Sequence, residues 1–213
     1  MHEGTDVFDK NKDLNVWTSI WIKPRETVRY ALNHKTMKFA VILALITGVF
    51  DMLNGAVQNN LGDTMSITTI FVLAILLGPI LGVIGWWIAA GIATIVGLWF
   101  GGTGTFTDLK MAFAISYIPI ILGGVLWIPD VLILGEALFM ENFDISVGSS
   151  IWLFISGFFS IVLGVWSFII TVKAIAEAHK FSAWRGLWTV LIPATLVILV
   201  LFIIFLPFFF LGF

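Results

Sequence analysis

The stretch ITTIFVLAILLGPILGVIGWWIAAGIATIVGLWF, residues 67–100, decides the fold class because it is apolar throughout. It contains no Asp, Glu, Lys, Arg or His, as expected of a helix that crosses a bilayer. As one helix it would measure about 50 Å, whereas the hydrocarbon core of a bilayer is about 30 Å thick. Proline removes a backbone donor and clashes with the preceding turn. We therefore predict a kink or break at Gly78-Pro79 or, as the alternative, a separate interfacial or re-entrant piece at 67–78.

Four further apolar stretches give the chain the composition of a membrane protein, and they lie at residues 38–57, 109–134, 150–173 and 186–207. The 213 residues are 60% hydrophobic and 11% charged, against roughly 45–50% and about 25% in soluble domains. The sequence predicts an all-α polytopic membrane protein with three parts. These are a polar tail at 1–15, an amphipathic juxtamembrane segment at 16–37 and a domain of five transmembrane helices at 38–213.

The positive charges predict how the helices are oriented. All 11 Lys and Arg residues fall within 10–38, at Lys110 or within 173–185, whereas the loops at 58–66 and 135–149 carry only acidic charges. Short cytoplasmic loops collect Lys and Arg. We therefore expect a multi-pass protein of the cell membrane with a cytoplasmic N-terminus and a C-terminus outside.

The juxtamembrane segment alternates aromatic and basic residues. Trp17 and Trp21 lie among Lys23, Arg25 and Arg29, and the proline at position 24 is well placed to open a second short helix. Such helices suit the plane of an anionic membrane surface. The sequence predicts that these five residues anchor the segment at the bilayer surface, the alternative being a disordered linker.

One acidic residue lies inside the first predicted span. Asp51 falls about two-thirds of the way along it and is followed by Asn54. An ionisable group there costs at least about 2.5–3.5 kcal/mol on insertion scales, so it should face protein or water. One hypothesis is a proton or cation site in a small channel or transporter that also uses the broken second helix. The other is a carboxyl group near the outer interface that bonds a neighbouring helix or headgroup water.

Small residues recur every four positions in two spans. The second span carries Gly85, Ala89, Ala93, Gly97 and Gly101, and the fourth carries Ser156, Ser160 and Gly164. Small side chains let membrane helices approach closely. These rows indicate either packing within the bundle or a face for another membrane protein. We expect internal packing around Gly97 and a partner face on the fourth span.

Several kinds of chemistry are excluded by composition and spacing. The net charge of −2 argues against a nucleic-acid partner, and the absence of Cys excludes thiolate chemistry. The glycine-rich loop at 101–106 lacks the Gly-Lys-Ser/Thr ending of a phosphate loop, so we expect no nucleotide there. It is predicted to be a tight turn with Thr107 or Asp108 as the following helix cap. His179 is predicted to be a solvated loop residue, and we expect no catalytic residues, metal or cofactor.

Four short motifs are similar to those of the bacterial branch of the Yip1 family. They are WIKPRET at 21–27, the loop at 101–106 running to Asp108, SYIP at 116–119 and HKFS at 179–182. The resemblance implies a five-helix membrane protein with a cytoplasmic N-terminus. Eukaryotic members engage prenylated small GTPases through longer N-terminal regions with an Asp-Leu-Tyr-Gly-Pro motif. This chain has neither feature, so the resemblance does not carry GTPase binding over.

The resemblance also implies a class of function. Some bacterial members are similar to accessory subunits of ABC-type exporters that protect cells against peptide toxins. We therefore expect a non-enzymatic adaptor in the lipid bilayer whose partner is another membrane protein or a second copy of the chain. The channel or transporter remains the alternative. A third possibility, that the protein senses or buffers the membrane, depends only on the amphipathic N-terminal segment.

Overall fold

The computed structural model describes residues 14–142 and 144–211, which form helices and turns without any strand. Residues 1–13, which make up most of the predicted polar tail, lie outside the described residues. The helices are α1 (Val16–Ser19), α2 (Pro24–His34), α3 (Met37–Gln58), α4 (Ile67–Trp99), α5 (Phe106–Ser116), α6 (Ile118–Gly123), α7 (Trp127–Leu134), α8 (Val147–Ala178) and α9 (Ala183–Leu211).

Five helical segments in the described residues are long and apolar enough to cross a membrane, which confirms the predicted fold class. They are Met37–Gln58, Ile67–Trp99, Phe106–Phe139, Val147–Ala178 and Ala183–Ile204. The fourth span is longer than predicted, because α8 continues to Ala178 and its last turns pack against α2 and α5.

The second span is one continuous helix, so a break at Gly78-Pro79 is wrong, and a kink there stays a prediction. The alternative of a separate piece at 67–78 is also wrong, because α4 runs from Ile67 to Trp99 through Pro79. Transmembrane helices tolerate proline where neighbouring helices support the freed backbone. Here α3 packs directly against α4 at Gly78.

The third span, not the second, is interrupted. It consists of α5, α6 and α7 joined by a junction at Tyr117 and by a 3-10 turn at Gly124–Leu126, and a second 3-10 turn follows α7. Pro119 in the first turn of α6 cannot donate a backbone hydrogen bond. The hydroxyl of Ser167 on α8 donates to the carbonyl oxygen of Ser116 at 3.1 Å. A side chain of a neighbouring helix thus supplies a partner at the junction.

The closest helix contact lies between α3 and α4. A Cβ at Gly82 would come within 2.5 Å of Gly48 Cα and 2.7 Å of the Ala44 carbonyl oxygen, and Gly78 touches Gly48 in the same way. Backbone meets backbone here, which is the close approach that small residues permit. The predicted row from Gly85 onward is not this face. Gly85 is exposed and has no atom within 4 Å of its Cβ position.

The N-terminal segment packs into the bundle. Val16, Ile20, Val28 and Ala31 are at most 2% exposed and belong to one core cluster with residues of α5 and α8. The disordered linker is therefore wrong. The apolar face that the sequence assigns to lipid is buried in protein instead, because α5 and α8 offer it an apolar surface.

The loops divide between two ends of the bundle. Arg25 donates to the carbonyl oxygen of Phe181, and Arg185 donates to that of Phe100, so α2 and the loops around 100–105 and 179–182 meet at what we call the basic end. At the acidic end, the loops around 59–66 and 135–146 meet where the Glu141 N–H donates to the Asp63 carboxylate. The charge groups of the sequence thus share ends as expected. Which end faces the cytoplasm stays a prediction.

Adding one methyl group at the α3–α4 contact should destabilise the protein. We expect Gly82→Ala to lower the free energy of unfolding in detergent by about 1–3 kcal/mol, because the methyl group has no space. Gly85→Ala, one turn along the same helix, is the control and should change it little. Equal unfolding midpoints for the two variants would contradict the contact.

Candidate functional site

Three of the four family-like motifs meet at the basic end. Besides the bond from Arg25 to Phe181, the Arg29 Nε donates to Glu177 Oε1 at 2.6 Å, and this hydrogen bond raises the pKa of Arg29. A cleft of about 640 Å³ lies beside these contacts, and its charged lining consists of Arg25, Arg29, Asp108, Glu177 and Lys180. Both arginines therefore hold α2 against the end of α8.

All five predicted surface anchors make contacts within the chain. Trp17 packs edge-on against Phe39, Trp21 donates to the Trp17 carbonyl oxygen, and Lys23 pairs with Glu26. Arg25 and Arg29 make the contacts described above. These contacts explain how the segment is held to the bundle, and binding of the same residues to a membrane surface stays a prediction.

His179 is the central residue of the basic end, and the prediction of a solvated loop residue is wrong. Its side chain is 1% exposed. The Gly104 N–H donates to its Nδ1 at 3.1 Å, so Nε2 carries the proton and donates to the Ala93 carbonyl oxygen at 3.1 Å. The ring fills the space that a side chain at Gly97 or Gly102 would need. One neutral imidazole thus joins α4, the loop after it and α8.

The row of small residues on α4 therefore serves different neighbours. Ala93 and Gly97 are buried against His179, Ala89 is half-buried, and Gly85 and Gly101 are exposed. Gly101 has φ +75°, a conformation that favours glycine. A sequence period of four could not reveal that the partner is a ring and not another helix.

The cap of α5 is Thr105, not Thr107 or Asp108 as predicted. The Thr105 hydroxyl accepts from the Asp108 N–H, and the Asp108 carboxylate accepts from the Thr105 N–H. This reciprocal pair is a capping box. The glycine-rich loop is thus a helix-capping turn closed over His179.

A second polar region lies within the membrane-spanning part. A groove of about 240 Å³ opens at the side of the bundle, between α3, the α6–α7 turn and α8; we call it the lateral groove. Its polar and small lining residues are Asp51, Asn54, Ser160, Gly164, Gly123 and Gly124, and its walls include Phe50 and Leu163. The structure thus brings the predicted intramembrane pair together with two members of the predicted α8 face. The third member, Ser156, is buried and does not line the groove.

Asp51 lies between the lateral groove and a second cavity. That cavity has about 250 Å³ and is lined by Asp51, Thr47, Gly48, Trp86 and Tyr117 among others. Asp51 and Asn54 are exposed on α3. Within the described residues neither side chain makes a hydrogen bond or ion pair. The carboxylate is available to accept hydrogen bonds or to meet a cation.

A second acid within the spans, Asp130, was not among the predicted site residues and lies in the third span. The Trp152 Nε1 on α8 donates to its carboxylate at 2.8 Å. The sequence signal that could have identified Asp130 is the tryptophan at position 152 on a neighbouring span, whose N–H group can donate to a carboxylate. Asp130 therefore has the partner that Asp51 lacks. No group of three or more His, Asp or Glu in the described part of the chain could hold a metal ion.

Acidification should loosen the basic end through His179. Burial lowers the pKa of His179 below its ordinary value of about 6.5, although the bond to Ala93 and the charge of Asp108 act in the opposite direction. As the pH falls through about 6.5, the unfolded chain takes up a proton that the folded one does not, so stability falls. We expect the melting temperature to drop between pH 7.5 and 5.5.

The variant His179→Gln should reduce this pH dependence because its side chain does not titrate. His34→Gln is the matched control, since His34 is exposed on α2 and should leave the dependence unchanged. Thermal unfolding in detergent measures both. An unaltered pH slope in His179→Gln would show that another group is responsible.

One comparison with known proteins identifies a family. A family model described as Yip1 domain matches residues 18–205, which include both the basic end and the lateral groove. Neither the curated proteins nor the solved structures contain a match to the chain.

Proposed function

The chain belongs to the Yip1 family, and on that premise we propose that it is a non-enzymatic adaptor that binds another membrane protein through the lateral groove. The single observation that carries the proposal is that the polar side chains of Asp51, Asn54 and Ser160 line a groove at the side of the spanning helices. In the described chain they make no hydrogen bond or ion pair. Lipid tails cannot satisfy such groups, whereas a protein surface can.

Small residues make the groove suitable for a helix. Gly164 on α8 is exposed and has no atom within 4 Å of its Cβ position. Few residues of α8 are covered by the rest of the chain, since only 17% of an 18-residue apolar window of this span is buried. A second helix could approach the α8 backbone here closely enough for dispersion contacts to accumulate.

The partner that we propose is an ABC-type exporter that protects against peptide toxins, with this chain as its accessory subunit. The support for this choice is the resemblance of the motifs to bacterial members of that kind. A lateral groove agrees with such a role because an accessory subunit meets its partner within the bilayer. A second copy of the chain is the other occupant that the groove could accept.

The channel or transporter remains the second candidate. This hypothesis used a broken second helix, and that part of it is wrong because α4 is continuous. The observation in its favour is that Asp51 lines both the lateral groove and the second cavity. Membrane sensing by the N-terminal segment is not proposed, because its apolar face is buried in protein.

Filling the groove should release the partner. We expect Gly164→Leu to reduce co-purification of the exporter subunits about tenfold, since a leucine there blocks the approach of a helix. Gly157→Leu is the matched control, because Gly157 on the same helix also has open space but does not line the groove. Quantitative mass spectrometry after mild solubilisation measures both. Full retention of the exporter by Gly164→Leu would exclude the groove as the docking site.

The orientation that we propose is a cytoplasmic basic end in the cell membrane. Because the wild type has no Cys, single Cys substitutions at exposed positions report it directly. Thr64→Cys and Ser146→Cys at the acidic end should react with an impermeant maleimide outside intact cells. Thr103→Cys and Thr107→Cys at the basic end should react only after lysis. The reverse pattern would invert the topology.

A further inference from the structure

The lateral groove contains one charged residue, Asp51, and no basic residue of the chain lines it. The described basic residue nearest to Asp51 on its own helix is Lys38, 13 residues away, which is about 20 Å along the axis. On α8, Lys173 lies nine residues beyond Gly164, or about 14 Å. Neither helix therefore carries a cation level with Asp51, and no Lys, Arg or His is among the residues that line the groove.

Three acceptors face the groove and remain unused in the described structure. They belong to the Asp51 carboxylate, the Asn54 side-chain amide and the Ser160 hydroxyl group, and all three residues line the groove. An ammonium group has three N–H donors and no acceptor. The carboxylate supplies the charge that such a group needs in a low dielectric. The lining thus offers a lysine ammonium one acceptor group for each of its three donors and a charge of opposite sign.

The groove has room for one long side chain of a helix that packs over it. Its volume is about 240 Å³, and its lining includes the small residues Gly123, Gly124 and Gly164. The Phe50 ring fills the space that a side chain at Gly124 would need, which closes the groove on that wall. A partner helix would therefore lie over the small residues and insert a single side chain.

We propose that the lateral groove binds a transmembrane helix of another protein that presents a lysine at the depth of Asp51. The ammonium group forms an ion pair with Asp51 and donates hydrogen bonds to Asn54 and Ser160. This inference rests on the proposed adaptor function and specifies the chemistry of its partner. It also explains how an acidic side chain is accommodated among spanning helices.

Designed single-span peptides test this chemistry without knowledge of the natural partner. Polyleucine peptides that carry a central Lys, Gln or Leu are mixed with the full-length chain in nanodiscs of phosphatidylcholine, which has no net charge. Energy transfer between labels measures binding. We expect the Lys peptide to bind at least tenfold more tightly than the other two.

Variants of the chain assign the selectivity to the groove. Asp51→Asn should bring the Lys peptide down to the affinity of the Leu peptide, whereas Asp51→Glu should keep most of the selectivity because it keeps the charge. Ser160→Ala should weaken binding of the Lys peptide severalfold. It tests the groove without altering the acidic side chain. Gly157→Leu, outside the groove, should bind like the wild type.

Equal affinity of the Lys and Leu peptides for the wild type would overturn the inference, and so would full selectivity in Asp51→Asn. These results differ from a failure of the adaptor proposal. If the wild type does not prefer the Lys peptide while Gly164→Leu still releases the exporter, the adaptor proposal is retained and the proposed lysine contact is rejected. If Gly164→Leu releases nothing while Asp51-dependent Lys binding is found, the groove binds a basic helix other than the exporter's.

Discussion

The backbone contact between α3 and α4 at Gly48 and Gly82 is the constraint from which the intramembrane site follows. Hydrophobic burial does not drive helices together in lipid, so close packing must supply the association. Asp51 follows Gly48 by one turn on α3 and lines the cavity that Gly48 and Gly82 also border. The glycines thus fix the helix that carries the acid, and Asp51 lines both the second cavity and the lateral groove.

The basic end is held by polar contacts instead. The buried ring of His179 bonds to Ala93 and Gly104, and Arg29 pairs with Glu177. These contacts tie α2 and α4 to the end of α8, whereas only 6% of an 18-residue apolar window of α9 is buried in the chain. The chain is therefore well packed at one end and open along its side. Lipid can cover the apolar part of that side, whereas the polar lateral groove is the part that a protein partner would cover.

Hydropathy and charge predicted the number of spans and the grouping of the loops because both depend on composition over long windows. Composition could not locate the interruption at Tyr117, since α4 continues through Pro79 and packs against α3 at the neighbouring Gly78, whereas the third span is interrupted just before Pro119. It could not recognise His179 as buried either, because its partners are backbone groups of distant residues. Asp51 and Ser160 were both identified, but their meeting in one groove depends on how α3 and α8 pack.

Oxygen accessibility of a spin label at Ser160→Cys tests most directly whether the isolated chain leaves the groove open to lipid. With the purified protein in bilayers, the account predicts a mobile label that collides frequently with oxygen and rarely with a water-soluble nickel complex. A label at Ser156→Cys, a buried position on the same helix, should be immobile and protected. An immobile, oxygen-protected label at position 160 would show that the chain covers its own groove and would contradict the account.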